Sequence, residues 1–159
     1  MMTLRNSVAP SIVAVAALAA ASLANAHHSF SMFDSSKELV LKGEVVRWNF
    51  ASPHTYMLLK DEAGNVWSLE GTAPPTLITR TPAMTGDTFK AGDKMTIVYC
   101  PLRDGRKGGA NGIIITADGT VYNPSDGGCR ANQRIGDWPA WIKKGYTSLE
   151  QVKAREGIK

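Results

Sequence analysis

Short apolar stretches separated by loop and turn residues recur between residues 38 and 122, and they predict β-strands. The stretches are rich in Val, Ile, Leu and aromatic residues, which favour strands. The predicted strands cover residues 38–50, 55–60, 66–70, 94–100 and 112–116. Gly43 interrupts the first of them, so a bulge or bend is expected at that position.

The order of these elements favours a small barrel. Pro74 and Pro75 open a stretch of looser apolar spacing, which predicts a short helix between strands 3 and 4. Three strands, a helical connection and two more strands is the order of the OB-fold, a five-stranded barrel. The expected class is therefore mainly all-β, an OB-fold-like five-stranded barrel with that short helix and a short C-terminal helix. A small β-sandwich fits the same element count and remains the alternative.

The C-terminal part of the chain differs in character from the strand-rich part. Residues 123–159 begin with a polar, glycine-rich stretch and continue with the aromatic pair Trp138 and Trp141. The residues TSLE at 147–150 have the form of a capping box and predict a short helix that ends near residue 155. We expect this extension to dock on the barrel through its two tryptophans; a partner-binding surface is the alternative.

The first 26 residues have the pattern of a secretory signal peptide. Arg5 is their only charged residue, an apolar run follows at 12–23, and small residues precede a cut after Ala26 or, alternatively, after Ala24. The run is too short to span a bilayer as a helix. The chain is therefore expected to divide into a signal peptide (1–26), an OB-like β-barrel domain (27–122) and a disulfide-tethered C-terminal extension (123–159). The mature protein is expected in the periplasm or secreted.

The net charge and the apolar content of the chain bear on whether it binds nucleic acid or spans a membrane. The chain of 159 residues carries a formal net charge of +4, which is only mildly basic. An exported protein with so small a charge is not expected to bind nucleic acid. No second long apolar run follows the leader, so no transmembrane segment is expected in the mature chain.

The two cysteines, Cys100 and Cys129, are the whole cysteine content of the chain. An even pair in an oxidising compartment predicts a disulfide bond. Two unpaired buried thiols, or a metal thiolate at Cys100, are the alternatives.

Three histidines, His27, His28 and His54, form the candidate metal site. If the chain starts at His27, its α-amine and its Nδ1 can chelate one ion, and His54 can add a second imidazole. That three-nitrogen arrangement is a histidine brace, which suits Cu(II). His28 can compete for the same amine, and a start at Asn25 would instead make His27 the third residue of a square-planar site. A disordered start that binds copper only in the test tube, with His54 bonded to a loop carbonyl, is the alternative.

The glycine-rich loop at 101–109 is the second candidate site. Arg103 can hold a carboxylate or phosphate with its planar guanidinium, and Asp104 and Arg106 add further polar groups. In an OB-fold this loop lies near the strand 1–2 loop, so we group Trp48 with it as a candidate site for a small anionic ligand. A solvated hairpin, with Trp48 in the core, is the alternative.

Several motifs together resemble a known family. These are the start Ala-His-His-Ser-Phe, the pair Pro53-His54, the step Glu70-Gly71, and the loop Pro-Leu-Arg-Asp-Gly with its following Gly-Gly. Over residues 26–122 they look like an uncharacterised family of small exported bacterial proteins, a domain of unknown function. The resemblance implies export and a compact β-domain, and it assigns no activity. Ser52 stands where that family usually has Asn, and the cysteine-bearing tail looks like an addition.

No catalytic motif assigns a reaction to this chain. It has no Ser-His-Asp spacing, no phosphate-binding glycine loop, no CxxC and no HExxH. The expected function is an exported, periplasmic binding protein of unknown specificity. A Cu(II) carrier or sensor is the more specific hypothesis, and Cu(II) is the cofactor that it implies. A copper-dependent redox enzyme with a histidine brace, and an accessory protein that binds a protein partner through Trp138 and Trp141, are the alternatives.

Overall fold

The computed structural model describes residues 30–158, so the predicted signal peptide, His27 and His28 lie outside the described residues. The strands are β1 (Leu39–Asn49), β2 (Thr55–Asp61), β3 (Val66–Gly71), β4 (Lys94–Pro101), β5 (Gly108–Thr116) and β6 (Val121–Tyr122). The α-helices are α1 (Pro74–Leu77), α2 (Trp138–Lys143) and α3 (Leu149–Glu156), and 3-10 turns occur at Phe30–Met32 and Arg130–Arg134. None of the helices in this part of the chain is long and apolar enough to cross a membrane.

The first five strands form a closed mixed barrel. β1 pairs antiparallel with both β2 and β4, β2 pairs with β3, and β4 pairs with β5. A parallel pairing of β3 with β5 closes the barrel, and β6 adds a short strand beside β5. With α1 between β3 and β4, this is the predicted OB-like order. The all-β barrel is thus confirmed, and the alternative of two stacked sheets is wrong.

The barrel interior is one apolar core. Alternate residues of each strand point inward, since successive side chains of a strand face opposite sides. The core residues are Leu41, Val45, Met57, Leu59, Leu69, Leu77, Met84, Phe89, Met95, Ile97, Tyr99 and Ile114. Burying each of the larger aliphatic side chains contributes roughly 1.5–3 kcal/mol.

A second core covers the outer face of β4 and β5. Every residue of β5 from position 108 to 114 is buried, because the extension packs on the side that faces away from the barrel interior. Members of this second core are Phe33, Val98, Cys100, Ala110, Ile113, Cys129, Ala131, Trp138, Tyr146, Leu149 and Val152. The predicted Cys100–Cys129 disulfide is confirmed and lies within it.

The extension contains one more helix than expected. The predicted C-terminal helix is α3, and Ser148 caps it by accepting a hydrogen bond of 3.2 Å from the Gln151 amide on its side chain. The additional helix, α2, begins at Trp138 with Pro139 in its first turn, a position where a missing N–H is tolerated. A six-residue helix is too short to show a helical period in the sequence.

The irregularity expected at Gly43 lies further along β1. Gly43 pairs in register with Asp61, and the register shift falls between Val45 and Arg47. The glycine has another role, since a Cβ at Gly43 would collide with the carbonyl oxygen of Lys60. Because Gly43 has no side chain, β1 and β2 can approach each other closely at this position. The glycine does not mark the bulge.

Strand β5 begins earlier than its run of apolar residues predicts. It starts at Gly108, where the sequence pattern begins only at residue 112. A Cβ at Gly108 would lie 2.7 Å from the carbonyl oxygen of Ser68 on β3, and one at Gly109 would collide with the carbonyl oxygen of Cys100 on β4. These glycines let three strands approach one another where the barrel closes.

Candidate metal centre

The N-terminal segment of the described chain is fastened to the loop that follows β4. Phe33 forms an isolated bridge with Leu102 and is buried in the second core. Arg103 donates its backbone N–H to the carbonyl of Met32 and its Nε–H to the carbonyl of Ser31, both at 2.9 Å. Arg103, which the sequence singled out as an anion ligand, therefore holds the start of the domain in place.

The first described residue lies against a pair of glycines in the extension. A Cβ at Gly128 would lie 3.1 Å from Phe30 Cδ1 and 3.0 Å from Phe33 Cδ2, and a Cβ at Gly127 would lie 3.8 Å from the Phe30 ring. The chain can run this close to Gly128 because that position lacks a side chain, whereas a Cβ at Gly127 would make only an ordinary van der Waals contact. Asp126 immediately precedes this glycine pair, so the N-terminal segment reaches the loop that carries this carboxylate.

That loop is held by buried hydrogen bonds. Arg80 donates to the carbonyls of Asn123 and Ser125 at 2.5 and 2.8 Å, and the Ser125 hydroxyl donates to the carbonyl of Cys129 at 2.8 Å. Burial lowers the pKa of Arg80, and the nearby Asp126 carboxylate opposes that change. The position of Asp126 is therefore set by a guanidinium clamp on one side and by the disulfide at Cys129 on the other.

Three oxygen atoms lie close to one ring nitrogen of His54. This histidine stands immediately before β2, and its Nδ1 lies 3.3 Å from Glu70 Oε1 at the end of β3 and 3.5 Å from Asp126 Oδ2. The carbonyl oxygen of Gly71 is a further 3.3 Å neighbour of the same nitrogen. The side chains of His54, Glu70 and Asp126 are 13%, 18% and 6% exposed, so the cluster is largely shielded from solvent.

The two carboxylates differ in how their oxygens are satisfied. Asp126 Oδ1 accepts the Gly128 N–H at 3.0 Å, whereas its buried Oδ2 accepts no hydrogen bond from residues 30–158. Glu70 Oε2 accepts the Tyr56 hydroxyl at 3.1 Å. Burial raises the pKa of Tyr56, and the charges of Glu70 and Asp126 together with the hydrogen bond to Glu70 raise it further. Tyr56 thus stays a neutral hydrogen-bond donor to Glu70.

This arrangement is suited to a divalent cation. The three donor atoms of His54, Glu70 and Asp126 all lie within 4.8 Å of one another. Ligands at about 2.0–2.2 Å from a tetrahedral ion are roughly 3.3–3.6 Å apart, and the two distances from His54 Nδ1 agree with that spacing. One imidazole nitrogen and two carboxylate oxygens could hold such an ion.

Trp48 is not brought to His54 or to Arg103. Its Nε1 donates to the carbonyl of Thr85 at 2.8 Å, and its ring packs edge-on against Phe89 with centroids 5.3 Å apart. These contacts join β1 to the segment before β4 and belong to the barrel core.

Asp104 and Arg106, the remaining candidate residues of the loop at 101–109, pair with each other at the surface. Arg106 Nε donates to Asp104 Oδ2 at 2.7 Å, and its backbone N–H donates to Asp104 Oδ1 at 3.1 Å. Their side chains are 71% and 52% exposed, so the pair is solvated. The hydrogen bonds of Asp104 with the backbone and side chain of Arg106 lower the pKa of its carboxyl group. An exposed pair of this kind contributes little to stability.

Sequence reasoning found His54 but missed Tyr56, Glu70 and Asp126. Tyr56 and Glu70 are direct partners in the β2–β3 register, so the predicted hairpin was the signal that could have joined them. Nothing in the spacing connects Asp126 to either residue, because it comes from the extension and its position depends on tertiary contacts.

The comparison with protein families gives one result. A family model described as a family of unknown function (DUF6152) matches residues 14–111. The match includes His54 and Glu70 and ends within β5, before Asp126. No curated protein and no solved structure matches the chain.

Proposed function

The chain belongs to a family of unknown function (DUF6152), and we propose that it acts as an exported binding protein for a transition-metal ion, with Cu(II) as that ion. The ligands are the N-terminal α-amine and imidazole of His27, together with the imidazole of His54. The observation that carries this proposal is the position of His54. It lies in a carboxylate-lined cluster beside the loop against which the N-terminal segment packs.

The reach of the chain supports a shared site. An extended chain spans at most about 3.3–3.6 Å per residue, so the Cα of His27 lies within roughly 11 Å of the Cα of Phe30. The Phe30 ring contacts the Gly127–Gly128 pair, and the preceding Asp126 carboxylate is 3.5 Å from His54 Nδ1. A chain that starts at His27 therefore begins within a short reach of the loop that carries Asp126, the carboxylate next to His54.

The donor set supports copper over other common divalent ions. Two imidazoles and an amine are nitrogen ligands, for which Cu(II) has the highest affinity of the divalent first-row ions. The nearby carboxylates of Glu70 and Asp126 favour a positive charge at this place. Binding displaces protons from the amine and imidazoles, so affinity is expected to rise with pH.

The test begins with the intact mass of the protein recovered from the periplasm, followed by Cu(II) titration and electron paramagnetic resonance. A start at His27 and a spectrum with three nitrogen ligands are expected. His54→Ala should weaken Cu(II) binding at least tenfold and remove one nitrogen from the spectrum. His28→Ala is the matched control, because the brace does not use that ring. The proposal fails if the mature chain starts anywhere other than His27, or if His54→Ala binds Cu(II) like the parent protein.

A further inference from the structure

We infer that Glu70 and Asp126 are metal ligands themselves, so that the folded domain carries a mixed nitrogen–oxygen site with His54 Nδ1 as its nitrogen donor. The inference extends the proposed function at the same place in the fold, and it shares with that function the ligand His54. It needs no residue before Phe30, however, and predicts that the domain binds a divalent ion such as Zn²⁺ without the N-terminal histidines.

The first argument is the position of the three donors on separate, well-held elements. His54 stands at the entry to β2, Glu70 near the end of β3, and Asp126 on the loop held by Arg80. Since β2 and β3 are paired through this region, Glu70 and His54 cannot move apart without breaking the sheet. A site built from separate rigid elements is preorganised, which favours metal binding.

The second argument is independent and concerns Asp126 alone. Its side chain is 6% exposed, and Oδ2 accepts no hydrogen bond within residues 30–158 although it faces the cluster. Buried carboxylate oxygens are normally paired, because an unpaired one loses its hydration without compensation. Oδ2 has His54 Nδ1 as a charged neighbour at 3.5 Å when that ring is protonated, and a cation among the three donors would bind this oxygen directly.

In the competing interpretation, the carboxylates orient the His54 ring and do not bind the ion. In many metal sites a histidine binds through one nitrogen and donates the N–H of the other to a carboxylate. In that case Nε2 of His54 would bind the ion and the Nδ1 proton would point to Glu70, Asp126 or Gly71. A single proton is donated strongly to only one acceptor, so orientation accounts for one carboxylate at most.

The donor set also indicates the class of ion. Zn²⁺ accepts imidazole nitrogen and carboxylate oxygen in tetrahedral sites, and two carboxylates balance its charge. The fourth position stays open for water or for a donor from the N-terminus. Co²⁺ is a useful probe of the same geometry, because tetrahedral Co²⁺ has a strong visible absorption band.

The experiment uses the mature chain with His27→Ala and His28→Ala together. The protein has three histidines, so His54 is then the only one left. We expect this variant to bind one Zn²⁺, and the ¹⁵N resonance of Nδ1 to show the shift of a metal ligand. A ligand shift at Nε2 in place of Nδ1 would overturn the inference, as would an absence of Zn²⁺ binding.

Amide substitutions of the two carboxylates, made in the same double alanine variant, give a second test. Glu70→Gln and Asp126→Asn keep a carbonyl acceptor but lose the charge, so an orienting role would survive them. We expect each to weaken Zn²⁺ or Co²⁺ binding at least tenfold and to abolish the tetrahedral absorption band. Glu44→Gln, a substitution at a half-exposed acid on β1, is the matched control and should bind like its parent. Amide variants that bind as tightly as the parent would refute the role of the carboxylates.

The two proposals fail separately. If the double alanine variant keeps the Zn²⁺ site but the parent protein shows no three-nitrogen Cu(II) spectrum, the brace is wrong and the carboxylate site stands. If the Cu(II) spectrum is present in the parent protein but the amide variants change nothing, the brace stands and the carboxylate ligands are wrong.

Discussion

The indole Nε1 of Trp138 donates a hydrogen bond of 2.9 Å to the carboxylate of Glu38, a residue 100 positions away in the sequence. The other carboxylate oxygen accepts Arg134 Nη1 at 2.6 Å. Glu38 is 2% exposed, so both of its oxygens are removed from water and both have protein partners. The extension is therefore joined to the beginning of β1 by a buried polar contact as well as by the apolar second core.

Trp138→Ala is expected to destabilise the protein by about 3–5 kcal/mol, because it removes a fully buried aromatic side chain and leaves Glu38 without one donor. Trp141, which is only partly buried against the same cluster, provides the matched control. Trp141→Ala should have a clearly smaller effect on the free energy of unfolding in urea. Equal effects from the two substitutions would contradict the role assigned to Trp138.

The buried carboxyl of Glu38 predicts a pH dependence of stability. Burial raises the pKa of Glu38, although its hydrogen bond from Trp138 and the charge of Arg134 act in the opposite direction. A pKa higher in the folded state than in the unfolded state means that folding favours the protonated form. The contribution of this group is thus fully present below its unfolded pKa and is lost as pH rises through the folded value.

Glu38→Gln tests that dependence, because glutamine does not titrate. From its ordinary pKa near 4.5 upward, the parent protein should lose stability relative to the variant as the pH increases. Urea unfolding of both proteins between about pH 4 and pH 8 measures the difference. A difference that is independent of pH, or one that changes in the opposite direction, would show that the pKa of Glu38 is not raised.

Arg80 is expected to position the proposed metal ligand Asp126 without touching the ion. Arg80→Lys retains the positive charge but cannot reproduce the two hydrogen bonds to the carbonyls of Asn123 and Ser125. Its Zn²⁺ affinity should fall by about 10–100-fold, the range for groups that support metal ligands. Arg130→Lys, on the exposed 3-10 turn nearby, serves as the control and should leave the affinity unchanged.

Two glycines provide a test of how tightly the barrel closes. A Cβ at Gly109 would collide with the carbonyl oxygen of Cys100 and lie 2.8 Å from Tyr99 Cδ2, whereas one at Gly86 would meet nothing closer than 3.8 Å. Gly109→Ala should therefore destabilise the protein by about 1–3 kcal/mol or more. Gly86→Ala should have little effect on the thermal midpoint. If both variants melt like the parent protein, β4 and β5 are less closely packed than the structure indicates.

The barrel could be predicted from the sequence because its signals are local. Short stretches rich in Val, Ile, Leu and aromatic residues mark the strands, and the order of strands around one short helix favours the OB-like arrangement. The disulfide could be predicted from the even number of cysteines and from the oxidising compartment expected for the protein. The start of β5 could not be found in this way, because Gly108 and Gly109 carry no side chains and so contribute nothing to an apolar stretch.

Less of the candidate site could be predicted from the sequence. His54 stands out because histidine is rare in this chain, and Glu70 follows from the pairing of β2 with β3. Asp126 is different, since its place depends on Arg80, on the disulfide and on the glycines that admit Phe30. Contacts between residues so distant in the chain leave no periodic signal.

The pairing of the first strand with the last helix has a consequence for how the chain matures. Val40 donates its N–H to the carbonyl of Thr147, and the Leu149 N–H donates to the carbonyl of Glu38, both at 2.9 Å. Residues 38–40 precede residues 147–149 in synthesis, so a barrel that forms before the end of the chain arrives has the outer face of β4 and β5 uncovered. During that interval this apolar face is available to chaperones, and it closes only when the end of the chain arrives.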